Sequence, residues 1–152
     1  MTRILMVCMG NICRSPMACT VARQLAAEVG RASDLEFDSA GTHAYHIGQR
    51  MDERASKLLL QRNYPAGKGR SRQVKPEDFE RFDLILAMDE DNLETLKRLC
   101  PAQQQHKLRL FLSFSPELAS SEVPDPYYGN LAGFERVLAL CETGARGLLA
   151  KI

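Results

Sequence analysis

Short apolar runs alternate along this chain with longer stretches of three- and four-residue periodicity, and that alternation predicts strands followed by helices. Residues 3–8 (Arg-Ile-Leu-Met-Val-Cys) form a continuous apolar run that stops at Gly10-Asn11, a turn signal. A run without polar alternation fits a strand buried on both faces. From Ser15 the pattern becomes helical. Ala18, Val21, Ala22, Leu25 and Val29 share one face, with Ser15 as the expected N-cap, Pro16 at the first helical position and Gly30 as the stop. The first unit therefore reads as strand, glycine loop, helix.

A second strand is expected over 35–39, ending at Ser39-Ala40-Gly41. Met51, Ala55, Leu58, Leu59 and Arg62 mark a helix face that ends near Asn63, with Pro65 beyond, and 66–71 reads as a loop. Phe82 to Met88 reads as a central strand. The acidic group Asp89, Glu90 and Asp91 after it suits the positive end of a helix. Leu93, Leu96 and Leu99 carry that helix to Pro101, and 108–111 fits a fourth strand. Phe134, Val137, Leu138, Cys141, Ala145, Leu148 and Leu149 predict a long amphipathic helix at the C-terminus. Strands alternating with helices imply an α/β fold whose parallel sheet is covered on both faces. Ligands of such sheets bind beyond the carboxyl ends of the strands, where Cys8 and the following helix start fall.

Composition narrows the class. A length of 152 residues favours one domain, 1–152, and 45% hydrophobic with 26% charged residues is ordinary for a globular protein. The apolar start, Met1 to Val7, is too short for a signal peptide, and no run approaches a membrane span, so a cytoplasmic protein without membrane partners is expected. The net charge of +1 hides an asymmetry: 12 Lys/Arg against 6 Asp/Glu in residues 1–75, and 8 against 13 in 76–152. The basic half either steers an anionic substrate or is neutralised by the other half across the folded surface. With no dense basic run, no Trp and only 7% aromatic residues, a nucleic-acid partner is not expected. Five cysteines, an odd number, argue for free thiols. None is paired at zinc-knuckle spacing, and His43, His46 and His106 do not complete a site, so no metal is expected.

The chemistry concentrates in Cys8-Met9-Gly10-Asn11-Ile12-Cys13-Arg14-Ser15, a cysteine separated from an arginine by five residues. That length suffices to wrap a loop around one tetrahedral anion. The backbone N–H groups of Met9 to Ser15 can point inward, and the helix N-terminus adds its positive end. Gly10 allows a backbone conformation that other residues resist, and Asn11 tolerates the left-handed region. Arg14 offers a planar fork that matches two phosphate oxygens. The same positive field favours the thiolate of Cys8, which Ser15 could stabilise by a hydrogen bond. Attack of that thiolate on phosphorus would give a phosphocysteine for water to hydrolyse. A departing alkoxide needs a proton, and Asp125 in Asp125-Pro126-Tyr127-Tyr128-Gly129 supplies a carboxyl group on a turn-rich loop. Tyr127 and Tyr128 would wall a site for a flat phenyl group.

Together, Cys8 to Pro16, Ser39 to Thr42, Phe82 to Asn92 and Asp125 to Gly129 resemble, in order and along essentially the whole chain, the low-molecular-weight protein tyrosine phosphatases. The resemblance implies a flavodoxin-like three-layer fold with a four-stranded parallel sheet, and hydrolysis of phosphotyrosine in proteins or peptides without a cofactor, by a monomer or weak dimer. It implies Cys8 as nucleophile, Arg14 as phosphate clamp and Asp125 as general acid, then base. It also implies Asn11, Ser15 and Ser39 as loop supports, and Ile12, Tyr45, Tyr127 and Tyr128 as cleft walls. Cys13 matches a second loop cysteine that in relatives forms a reversible disulfide with the nucleophile. One departure stands out. Many relatives have a histidine shortly before an Arg-Gln pair, whereas Arg72-Gln73 here follows Lys68-Gly69-Arg70-Ser71. Two rivals share the loop. A thioredoxin-coupled arsenate reductase needs two relay cysteines after the third strand, where Cys100 stands alone. A phosphoarginine phosphatase usually has threonine in place of Ile12.

Overall fold

The computed structural model describes residues 1–65, Gly67 and 69–152, so Ala66 and Lys68 of the expected 66–71 loop lie outside the described residues. Four strands form one parallel sheet: β1 (Thr2–Cys8), β2 (Leu35–Gly41), β3 (Leu84–Ala87) and β4 (Leu108–Leu110), in the order β2-β1-β3-β4. The expected flavodoxin-like arrangement is the one observed. After β2 the chain recrosses β1 to place β3 on its other side, so the strand order reverses at the carboxyl end of β1. That reversal opens the crevice in which such sheets bind ligands.

β1 is central because both of its faces are apolar. Ile4, Met6 and Cys8 join one buried cluster, while Leu5 and Val7 join another. The first cluster is covered by α1 (Arg14–Glu28), α2 (Glu53–Gln61) and α5 (Leu131–Lys151). The second is covered by α3 (Pro76–Arg81) and α4 (Glu90–Leu99). Burying each of the larger side chains, among them Met17, Phe79, Phe111 and Phe134, contributes roughly 1.5–3 kcal/mol.

Several boundaries move. β2 runs two residues past the expected 39, because Ala40 and Gly41 stay in register with Val7 and Cys8. β3 is shorter than 82–88: Phe82 is the C-cap of α3, a helix the apolar pattern gave no sign of. Phe111 leaves the fourth strand for a short 3-10 turn, Phe111–Phe114. Ser15 is not the N-cap of α1. The helix starts at Arg14 with Cys13 in the cap position, which puts Pro16 at its third residue, where no intrahelical N–H is required. Gly30 does stop the helix, in the left-handed region at φ 74°. Asp89 caps α4 by accepting from the Asn92 N–H at 2.8 Å.

The charge asymmetry resolves partly into contacts between the halves. Arg14 pairs with Asp89, Arg62 with Glu135 at 3.2 Å and Arg72 with Asp78 at 2.9 Å. Among the described residues no helix is long and apolar enough to cross a membrane.

α5 lies directly on the 3-10 turn that follows β4. A Cβ at Gly147 would overlap the carbonyl of Phe114 and the hydroxyl of Ser115. Gly147→Ala should therefore lower the thermal unfolding midpoint. The helix preference of alanine is worth about 1 kcal/mol, less than the roughly 1–3 kcal/mol cost of overpacking against backbone. A raised midpoint would contradict this contact.

Candidate active site

Beyond β1 the chain turns sharply and enters α1, and its neighbours hold the turn by its carbonyl groups. The Thr42 N–H donates to the Cys8 carbonyl at 2.9 Å and the His43 N–H to that of Met9 at 3.0 Å. The Ser71 hydroxyl donates to the Gly10 carbonyl at 2.8 Å, and the Asp52 N–H to that of Ile12 at 2.7 Å. With these carbonyls drawn outward, the N–H groups of Gly10, Ile12 and Cys13 have no protein acceptor among the described residues. Such a concave set of N–H groups, running into a helix N-terminus, suits an anion.

Asn11 takes the left-handed region that the sequence reading allowed it, at φ 57°, whereas Gly10 does not use the freedom expected of it. A Cβ at Gly10 would come within 2.8 Å of the His46 ring, so a larger residue there would displace that ring from the cleft wall. Gly41 meets a similar demand: a Cβ would lie 2.6 Å from the Met9 carbonyl.

Asn11 uses every polar atom of its side chain. Its Oδ1 accepts from the Arg72 N–H at 3.0 Å, which fixes the orientation of the amide. Nδ2 then donates to Ser15 Oγ at 2.8 Å and to Ser39 Oγ at 2.9 Å. Ser15 Oγ lies 3.0 Å from Cys8 Sγ and 3.3 Å from the Ala40 carbonyl, and the Asn11 N–H points at the same sulfur from 3.3 Å. The Ser15 hydroxyl thus faces the loop instead of capping the helix. A relay runs from Asn11 Nδ2 through the Ser15 hydroxyl to the sulfur, and that hydroxyl and the Asn11 N–H can both donate to a thiolate.

Arg14, the first residue of α1, is 2% exposed. Its Nη1 donates to the Asp89 carboxylate and to the Val123 carbonyl at 3.2 Å, while Nη2 lies 3.6 Å from Asp125 Oδ2. Burial works against the guanidinium charge, but Cys8, Asp89 and Asp125 more than offset it and hold the Arg14 pKa above its ordinary value. Asp125 itself is partly exposed. Its Oδ1 accepts from the Tyr127 N–H at 3.0 Å, closing the turn that the Asp-Pro pair suggested.

One cleft is lined by Cys8, Met9, Gly10, Ile12, Cys13, Arg14, Tyr45, His46, Asp125, Tyr127 and Tyr128. Asn11, Ser15 and Ser39 are absent from its walls and stand behind the loop, the first and last of them facing a second cavity. Tyr45 is 70% exposed and stacks on His43 at 5.2 Å, and Tyr128 meets Tyr127 edge-on at 4.9 Å. Burial, followed by Asp52, Cys8 and Asp125, pushes the Cys13 thiol up and favours its protonated form. Among the described residues no group of three or more His, Cys, Asp or Glu is placed to hold a metal ion.

Sequence reasoning missed Asp89 as the partner of Arg14, His46 as a cleft wall, and Ser71 and Arg72 as anchors of the loop. In sequence Asp89 stands only as one of three acidic residues suited to a helix N-terminus, with nothing to mark it as the partner of Arg14. The missing histidine before Arg72-Gln73 is accounted for, since the Arg72 backbone and the Ser71 hydroxyl hold the loop themselves.

Fold and cleft together define a parallel α/β protein with a Cys-x5-Arg anion loop at the switch point of its sheet. The family model described as low molecular weight phosphotyrosine protein phosphatase matches residues 3–152. A Streptomyces coelicolor low molecular weight protein-tyrosine-phosphatase is 40% identical over 153 residues, covering 99% of this chain and 93% of that protein. The human low molecular weight phosphotyrosine protein phosphatase is 38% identical over 154 residues, covering 97% and 94%. A crystal structure of a protein tyrosine phosphatase from Entamoeba histolytica, with Hepes in its active site, superposes with a TM-score of 0.96 at 40% identity and covers 99% of this chain and 96% of that one. The chain belongs to the low molecular weight phosphotyrosine protein phosphatase family.

Asn11→Ala should lower the free energy of unfolding in urea by at least about 1–3 kcal/mol, the cost of leaving buried polar partners unpaired. Asn11→Gly accepts the left-handed backbone and should recover part of that loss. Equal stability of Asn11→Ala and the unmodified protein would show that the side chain does not hold the loop.

Proposed function

We propose that this protein hydrolyses phosphotyrosine in proteins or peptides through a phosphocysteine on Cys8. The observation that carries the reading is the position of the Cys8 sulfur. It lies on the cleft surface, within 3.3 Å of the Asn11 N–H and 3.0 Å of Ser15 Oγ, while Arg14 and Asp125 line the same cleft.

The phosphate oxygens bind the loop N–H groups and the Arg14 fork, whose two nitrogens match two oxygens at once. Cys8 attacks phosphorus opposite the tyrosyl oxygen. The sulfur–phosphorus bond forms as the phosphorus–oxygen bond breaks, and Asp125 gives its proton to the leaving oxygen. The deprotonated Asp125 then accepts a proton from the attacking water. As inorganic phosphate forms, the Cys8 thiolate departs and the Ser15 hydroxyl stabilises it. The loop donors contribute most where charge accumulates on the equatorial oxygens in the transition state.

Ile12, Tyr45, Tyr127 and Tyr128 present apolar and aromatic surface to the phenyl ring of the substrate. Ile12 also favours phosphotyrosine over phosphoarginine, since its aliphatic side chain offers no hydroxyl to a guanidinium. Cys13, held protonated near Cys8, is the reserve thiol. When a hydroperoxide transfers an oxygen atom to the Cys8 thiolate and leaves as the alkoxide or hydroxide, the sulfenic acid formed condenses with Cys13 to a disulfide and releases water. Five free cysteines support a cytoplasmic setting for this chemistry.

Cys8→Ser should abolish release of phosphate from a phosphotyrosine peptide while inorganic phosphate still binds. Asp125→Ala should lower kcat/KM by about 10²–10⁴, the range for a lost general acid, and by less for substrates with good leaving groups. Faster turnover of phosphoarginine than of phosphotyrosine in a paired assay would overturn the substrate assignment.

A further inference from the structure

We infer that Arg54 is a positioning residue that holds the Asp125 loop over the phosphate loop. The inference rests on the reading of Asp125 as proton donor, and it starts from how few bonds tie the Asp125 loop to the rest of the protein. The Tyr127 N–H donates to Asp125 Oδ1, and the Gly129 N–H donates to the Pro126 carbonyl, so both bonds are internal to the loop. Among the described residues, Arg14 and Arg54 make the polar ties from elsewhere to residues 125–129. The Arg14 tie is a 3.6 Å ion pair, and a bound phosphate would compete for the same guanidinium. During turnover the hold on the loop therefore falls to Arg54.

Arg54 is anchored to the opposite wall. Its Nε and Nη2 donate to the two carboxylate oxygens of Asp52, at 3.1 and 3.0 Å. Asp52 caps α2 by accepting from the Arg54 N–H at 2.8 Å, and its own N–H donates to the Ile12 carbonyl at 2.7 Å. The second hydrogen of Nη2 goes to the Tyr127 carbonyl at 2.9 Å. The guanidinium also lies over two rings, 4.6 Å from the Phe134 centroid and 5.7 Å from that of Tyr127, and both attract its charge. Ile12, Asp52, Arg54 and Tyr127 thus form a continuous chain of bonds from the anion loop to the proton donor's loop. Arg54 does not line the cleft, so it acts through Asp125 and not on the substrate.

A misplaced proton donor has a signature that general loss of stability lacks: the penalty grows with the basicity of the leaving group. The experiment measures kcat/KM, which reports the transfer to Cys8 and excludes the later hydrolysis shared by all esters, for 2,4-dinitrophenyl, p-nitrophenyl and phenyl phosphate with the unmodified enzyme, Arg54→Ala, Arg54→Lys, Asp125→Ala and the Arg54→Ala/Asp125→Ala double variant. Arg54→Ala should cost about 10–100-fold on phenyl phosphate, the scale of a displacement of about 1 Å, and little on the dinitrophenyl ester. In the Asp125→Ala background it should cost nothing further. Arg54→Lys should show a smaller loss of the same pattern, because an ammonium cannot bridge Asp52 and Tyr127 as a fork. It also carries the test if the alanine variant does not fold. Equal slowing of all three esters, or full additivity with Asp125→Ala, would overturn the role of Arg54. If Asp125→Ala itself shows no leaving-group dependence, the proton-donor reading fails and this inference falls with it.

Discussion

The carbonyl oxygens of Cys8, Met9, Gly10, Ile12 and Cys13 all accept hydrogen bonds that pull them away from the space the loop encloses. A peptide plane has two ends, so fixing the carbonyl outward aims the next N–H inward. The anion site is in this sense made from outside. β2 extends two residues past its expected end to bring Thr42 and His43 alongside, and residues 71–74 add a bridge at Gly41 that carries Ser71 and Arg72 to the loop. The carboxyl end of the sheet around β1 is organised to hold a loop, Cys8 to Arg14, that would not keep this shape alone. Asn11, the loop residue in the left-handed region, fastens the loop from behind through three side-chain bonds.

Electrostatics follows from that geometry. Arg14 is buried and would cost several kcal/mol unpaired, so it needs carboxylates. Asp89 and Asp125 supply them from two different segments, the start of α4 and the loop before α5. The two differ in exposure, 21% against 39% of the side chain, and in what else they do. Asp89 is locked by its capping bond to Asn92, a fixed counter-charge that orients the fork. Asp125 sits on a turn that closes on itself and faces the cleft, where it can exchange protons with a substrate. One arginine thus meets a helix-capping carboxylate on one side and, on the other, the carboxylate we propose as proton donor.

Much of this was legible in the sequence, because its strongest signals are local. The uninterrupted apolar run before Cys8, the glycine stop after α1, the acidic cap of α4 and the periodicity of α5 each depend on neighbours within a few residues, and each appears near its expected place. The Cys-x5-Arg spacing likewise carries its own geometric meaning. What failed was what depends on distant contacts. Ser15 has the chemistry of an N-cap, but the sulfur of Cys8 and the amide of Asn11 claim its hydroxyl. Gly10 offered a conformational freedom that the loop does not use, while the ring of His46, thirty-six residues away in sequence, crowds the place where a side chain would stand. α3, six residues long, is too short to show a helical period. The support of Asn11 by Arg72 uses a backbone N–H, which any residue could offer and no pattern could mark.

Every part of the account converges on a covalent bond between phosphorus and the sulfur of Cys8. It is tested most directly by stopping turnover of a phosphotyrosine substrate within the first reaction cycle, under alkaline conditions that preserve thiophosphate linkages, and mapping phosphate by peptide mass spectrometry. The peptide containing Cys8 should carry one phosphoryl group, localised to that residue by fragmentation, which decays as inorganic phosphate appears. Phosphate released at the full rate with Cys8 unmodified, or phosphoryl transfer to Cys13 instead, would contradict it.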